Sequence, residues 1–79
     1  MTGDLQRTVG RNLRRYRLQH GLSQEAMARV LDVHRTYMGG VERGERNLTL
    51  NTVERIAAAI DVDPLALLTR DATDVDGNR

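Results

Sequence analysis

The chain has 79 residues and a formal net charge of +1, and it contains no cysteine, tryptophan or phenylalanine. This length allows one small domain, so a catalytic domain and a regulatory domain cannot both be present. The lack of cysteine excludes disulfides, thiolate metal sites and a cysteine nucleophile. The longest apolar runs are far too short to span a membrane, and no stretch resembles a signal peptide, so we expect a cytoplasmic protein.

Charge is unevenly divided along the chain. Residues 1–20 sum to +4, residues 21–46 are balanced, and residues 47–79 sum to −3. All twelve basic residues are arginines. Arginine suits planar recognition of phosphate or guanine, but a GC-rich coding sequence would give the same bias, so both explanations stay open.

Apolar residues at three- and four-residue spacing predict five short helices. Gly21 ends the first helix, and Ser23, Thr49 and Asp63 are suitable N-caps for later ones. In chain order the predicted helices cover residues 5–20, 24–31, 35–43, 50–60 and 65–69. No segment alternates like a strand. The predicted fold class is therefore all-α, with one compact five-helix domain over residues 1–70 and a disordered acidic tail over residues 71–79.

The second and third predicted helices form a helix-turn-helix. The corner between them, residues 32–34, is short, and Asp32 tolerates the left-handed backbone that such corners need. In this motif the second helix of the pair enters the major groove of DNA. Arg35 and Thr36 lie on its first exposed turn, so they are the best candidates for reading bases. Six residues on the facing surfaces are predicted to be core rather than a ligand pocket: Met27, Ala28, Leu31, Val33, Met38 and Val41.

Other residues around this motif are candidates for contacts with the DNA backbone. Gln24 opens the second helix, where free N–H groups favour a phosphate, and we favour that role over simple capping. Arg43, Arg46 and Asn47 can track phosphates, although a solvated loop is the alternative interpretation. The full set predicted to contact the backbone is Ser23, Gln24, Gly40, Arg43, Arg46 and Asn47.

Two adjacent glycines, Gly39 and Gly40, lie inside the third predicted helix. Each costs on the order of 1 kcal/mol relative to alanine in a helix interior. Either the glycines let the helix backbone approach DNA closely, with Gly39 against the bases, or the helix is pliable and tightens on binding. The sequence leaves both explanations open.

These segments together resemble the lambda-repressor and Cro family of helix-turn-helix regulators. The resemblance is carried by residues 21–25, Ala28, Leu31, residues 42–44, Val53, Ile56, Ala57, Ile60 and Pro64. Within that family, residues 34–38 and 43–48 are most similar to the controller proteins of restriction-modification systems. The resemblance implies a sequence-specific transcription regulator that acts as a homodimer on a (pseudo)palindromic operator and regulates its own promoter.

The resemblance also implies roles for individual residues. Arg17 and Glu42 are expected to form a largely internal salt bridge. Tyr37 is expected to contact DNA, at the bases or by donating its hydroxyl to a phosphate, although it could instead cover the helix edge. Independently of the resemblance, the apolar residues of the last helices that are left over once the core is filled are expected at the dimer interface: Ile60, Val62, Leu65 and Leu68.

The expected partners are double-stranded DNA and a second copy of the chain. We expect no enzyme activity, cofactor, metal site, membrane contact or small-molecule effector, because the sequence has no catalytic arrangement or ligand cluster. An antitoxin or a protein-interaction module would use the same fold. The short, weakly hydrophobic tail argues against the first alternative, and the exposed Arg35, Arg43 and Arg46 argue against the second.

Overall fold

The computed structural model describes residues 4–70, and these residues form five α-helices without any strand. The helices are α1 (Asp4–Gln19), α2 (Gln24–Leu31), α3 (Arg35–Glu42), α4 (Leu50–Ala59) and α5 (Pro64–Leu68). The predicted all-α fold class is confirmed, and each helix end lies within one residue of its predicted position. The predicted disordered tail, residues 71–79, lies outside the described residues.

Local signals explain where the helices begin. Four of them start at a side chain that accepts a hydrogen bond from a free backbone N–H of the first turn, which is what an N-cap residue does. The capping residues are Ser23, His34, Thr49 and Asp63. His34 is an unusual cap, and its Nδ1 accepts from the N–H of Thr36 at 3.1 Å.

Left-handed residues explain where the helices end. Asp32 has φ 58° and lets the chain turn sharply between α2 and α3, as the sequence predicts. Gly21 and Gly44 have φ values of 66° and 74° after α1 and α3. Asp61, with φ 57°, has the same conformation after α4, and the sequence analysis did not single it out.

The core is built from aliphatic and methionine side chains. Leu13, Met27 and Met38 are completely buried at its centre. Five of the six predicted core residues of α2 and α3 are buried, whereas Val33 is only partly buried and packs against the core edge. Within residues 4–70, no helix combines the length and apolar character needed to cross a membrane.

Helix α1 contacts both α3 and α5. Against α3, Gly10 lies so close to the backbone carbonyls of Val41 and Glu42 that a Cβ there would be 2.7 Å from the Glu42 oxygen. Against α5, the side-chain amide of Asn12 faces the carbonyl oxygens of Leu67 and Thr69 at 2.8 and 3.1 Å. These contacts fix the position of α3 relative to the rest of the chain.

Candidate nucleic-acid interface

A buried ion pair holds the inner side of α3 against α1. The Nε of Arg17 donates to Glu42 Oε2 at 2.7 Å, and its Nη2 donates to Oε1 at 3.0 Å, which is the bidentate geometry favoured by the guanidinium fork. The side chains are 11% and 3% exposed. The hydrogen bond to Glu42 raises the pKa of Arg17 above its usual range, against the opposing effect of burial. The pair that the family resemblance implied is thus present, bidentate and internal.

Gln24 extends this ion pair toward the surface. Its side-chain Nε2 donates to Glu42 Oε1 at 3.1 Å, so one carboxylate oxygen accepts from both Arg17 and Gln24. This link adds a third role for Gln24, besides a phosphate contact and capping, that the sequence alone does not indicate. The contact orients the Gln24 amide at the beginning of α2, where the helix dipole favours an anion.

Five residues predicted to contact DNA line one groove between α2 and α3. They come from the first turn of α2, the exposed face of α3 and the residue that follows α3: Gln24, Arg35, Thr36, Gly39 and Arg43. Arg35 and Thr36 are exposed, and Gln24 is partly buried. Ser23 caps α2 beside this groove, where its Oγ accepts from the N–H of Ala26 at 3.0 Å. The groove thus places the guanidinium group of Arg35 next to the N-terminus of α2.

Arginine side chains cover the two glycines of α3. Both glycines are buried, yet a Cβ on Gly39 would meet Arg43 Nη1 at 3.1 Å, and one on Gly40 would meet Arg46 Nε at 2.9 Å. This arrangement differs from both explanations expected from the sequence, a close approach to DNA and a pliable helix. The missing side chains make room for Arg43 and Arg46 to fold back over the helix.

Tyr37 and Arg46 pack against each other beside the glycines. The guanidinium carbon of Arg46 lies 5.2 Å from the centre of the Tyr37 ring, within the range of a cation–π contact. Tyr37 is partly buried against the core. The ring therefore covers the helix edge and also supports an arginine on the outer surface.

Gln6 of α1 holds the loop that follows α3. Its Nε2 donates to the Arg46 carbonyl oxygen at 2.8 Å and to Asn47 Oδ1 at 2.9 Å. At the same loop, Arg43 Nε donates to Glu45 Oε1 at 3.1 Å, and both of these side chains are more than half exposed. Arg43, Arg46 and Asn47 thus belong to one ordered segment next to the groove.

A family model described as helix-turn-helix (HTH_3) matches residues 13–67, which include the groove and the helices on either side of it. The chain belongs to the helix-turn-helix family of DNA-binding transcription regulators. It is similar to control proteins: it is 45% identical over 67 residues to control protein C.SmaI of Serratia marcescens, covering 85% of this chain and 80% of that one.

Solved structures of controller proteins are also similar to this regulator. The restriction-modification controller protein C.AhdI of Aeromonas hydrophila superposes with a TM-score of 0.69 at 42% identity, covering 78% of this chain and 94% of that one. A nucleoprotein complex of C.Esp1396I superposes with a TM-score of 0.66 at 33% identity, covering 80% and 82%. The resemblance inferred from the sequence is confirmed.

The four residues predicted for the dimer interface of this regulator do not form one surface patch. Ile60 is 7% exposed and belongs to the core of its own chain. Ile60 and Val62 line a groove with Tyr16, whereas Leu68 lines a different groove with Leu5, Leu48 and Leu50. The sequence missed this division because the corner between α4 and α5 separates apolar residues that are close along the chain.

Proposed function

We propose that this regulator is a homodimer that binds a pseudo-palindromic operator and controls the genes of a restriction-modification system, its own gene included. The groove that brings Gln24, Arg35, Thr36, Gly39 and Arg43 together carries this proposal. It combines a helix N-terminus, suited to a phosphate, with an exposed arginine, suited to guanine. The similarity to the restriction-modification controller protein C.AhdI supports control of a restriction-modification system.

Within this proposal, the residues of the interface have separate roles. Arg35 and Thr36 read base edges, together with Tyr37 and the backbone at Gly39. Ser23, Gln24, Arg43, Arg46 and Asn47 contact the DNA backbone, whereas Gly40, expected from the sequence to belong to this set, is buried beneath Arg46 and is left out of it. Arg35→Ala should cost about 1–3 kcal/mol of binding and relax the preference at one base position per half-site, whereas Gln24→Ala should weaken binding to all sequences alike. Equal losses on specific and scrambled DNA for both variants would contradict this division.

The size of the chain supports a dimer on DNA. One small domain offers few base contacts, and helix-turn-helix dimers bind half-sites about 34–36 Å apart. This chain measures 33 × 26 × 23 Å, so two copies side by side fit that spacing. Exposed leucines supply apolar area for their contact: Leu5, Leu50 and Leu65 are 59%, 74% and 67% exposed. The proposed dimer surface therefore centres on Leu50, Leu65 and Leu68, not on Ile60 and Val62.

Sedimentation equilibrium of two matched variants tests the dimer surface. Leu65→Asp places a charge on the proposed surface, and Leu18→Asp places one on α1, where the leucine is 54% exposed. We expect Leu65→Asp to weaken the dimer at least tenfold and Leu18→Asp to leave it unchanged, because burying an unpaired charge is costly. A dimer of unaltered strength in Leu65→Asp would exclude this surface.

Fluorescence anisotropy tests DNA recognition itself. The probe is a duplex from the region upstream of the regulator's own gene, compared with a scrambled duplex at two salt concentrations. We expect a preference of about a thousandfold for the native duplex, with affinity that falls as salt rises. Equal, weak binding to both duplexes would contradict autoregulation.

A further inference from the structure

Helix α1 carries a second basic surface that is separate from the DNA groove. Arg11, Arg14, Arg15 and Leu18, spaced like one face of a helix, line a shallow groove on its outer side. We call these four residues the arginine face. None of them lines the groove between α2 and α3. The arginine face therefore offers a site for an acidic partner that does not overlap the proposed base-reading surface.

The chain leaves α5 next to the arginine face. Asn12 binds the carbonyl oxygens of the last turn of α5, and Arg15 Nη1 donates to Asn12 Oδ1 at 2.8 Å. The Asn12 side chain thus links Arg15 to the end of α5. Nη2 of Arg70 in turn lies 3.9 Å from Oδ2 of Asp4, at the beginning of α1. Whatever follows Arg70 starts beside α1.

The sequence that follows Arg70 has the opposite charge. Residues 71–79 contain three aspartates, Asp71, Asp74 and Asp76, and one arginine, Arg79. Nine extended residues reach about 30 Å, whereas Arg11 to Leu18 spans only about 10 Å of helix. The segment is therefore long enough to follow the whole arginine face.

We propose that residues 71–79 dock on the arginine face, with their aspartates pairing with Arg11, Arg14 and Arg15. A tethered segment has an effective concentration in the millimolar range, so it competes well with a free polyanion for the same surface. Exposed ion pairs are individually weak, and salt screens them. The docking is accordingly sensitive to salt, and it lowers the positive potential that the arginine face presents to DNA phosphates.

Paramagnetic relaxation enhancement tests the docking directly and independently of operator binding. The chain has no cysteine, so Asn78→Cys gives a unique site for a nitroxide label. We expect the label to broaden the backbone amide signals of residues 11–18 at low salt, and the broadening to disappear at about 0.5 M salt, where the Debye length falls to roughly 4 Å. Unbroadened α1 signals at low salt would overturn the proposal.

Two charge variants of the labelled protein identify the cause of any broadening. One triple variant removes the acidic partners: Asp71→Asn/Asp74→Asn/Asp76→Asn. A second triple variant removes the basic partners: Arg11→Gln/Arg14→Gln/Arg15→Gln. Either set should abolish the broadening, whereas the matched control Arg29→Gln, an exposed arginine on α2, should retain it. Broadening that persists in both triple variants would overturn docking by charge pairing. If the α1 signals stay unbroadened and the arginine triple variant loses DNA affinity, the arginine face binds DNA instead.

Discussion

Gly10 on α1 and the pair Gly39 and Gly40 on α3 are all buried, but different groups bury them. Gly10 lies against backbone carbonyls of α3, at the distance where a Cβ would be 3.0 Å from the carbonyl carbon of Glu42. Gly39 and Gly40 lie under the side chains of Arg43 and Arg46. Backbone atoms in packed helices cannot move without moving the helix, whereas the end of an arginine side chain can rotate away.

This difference separates a rigid part of the regulator from an adaptable one. The inner side of α3 is fixed by close backbone packing at Gly10 and by the buried ion pair of Arg17 and Glu42. Its outer side is covered by Arg43 and Arg46 of the following segment, which rest on the two glycines and on the Tyr37 ring. The axis of α3 is therefore fixed, whereas the side chains of Arg43 and Arg46 can change position.

The largest expected effect comes from breaking the buried ion pair. Arg17→Met keeps most of the side-chain volume but leaves the Glu42 carboxylate, 3% exposed, without its main partner. We expect a loss of about 3–5 kcal/mol in the free energy of unfolding. Urea unfolding followed by circular dichroism measures it. Arg14→Met on the exposed face of α1 is the control, and an equally small loss in both variants would contradict the rigid role of the pair.

A smaller loss of stability is expected when a methyl group is added at Gly10, where α1 packs closely against α3. Gly10→Ala forces α1 and α3 apart, because the new Cβ would overlap the carbonyl oxygens of Val41 and Glu42. We expect about 1–3 kcal/mol of destabilisation, despite the better helix propensity of alanine. Thermal unfolding measures the change. A variant as stable as the parent would show that the two helices are not locked together.

The smallest effect on stability is expected at the covered glycines. In Gly39→Ala and Gly40→Ala the new methyl group displaces only an arginine side chain, and alanine favours the helix, so the free energy of unfolding should change by less than about 1 kcal/mol. Binding to the operator should change more than stability, because Arg43 or Arg46 moves. Losses of stability as large as that of Gly10→Ala would remove the distinction between the two sites.

The fold could be predicted from the sequence because its signals are local. Ser23, Thr49 and Asp63 stand directly before helices, and Asp32 and Gly44 stand directly after them, so each boundary depends on neighbouring residues. The groove could be predicted for the same reason, since its residues come from the two adjacent helices of one motif.

The contacts that fix the groove could not be predicted from local signals. Gln6 binds the backbone of Arg46, 40 residues further along the chain, and a glutamine within a helix gives no sign of such a partner. The pairing of Arg17 with Glu42 came only from the family resemblance. The arginine cover of Gly39 and Gly40 depends on rotamers, which periodicity does not encode.

The contact between Asp4 and Arg70 makes the described chain an almost closed ring. Asn12 joins α1 to α5 at the same place, across 55 residues of sequence. A short peptide could connect residue 70 to residue 4, and new ends could be opened at the exposed corner around Asp61, far along the chain from α2 and α3. The order in which the helices are synthesised is therefore separable from the arrangement that they adopt, and this fold is a good candidate for circular permutation.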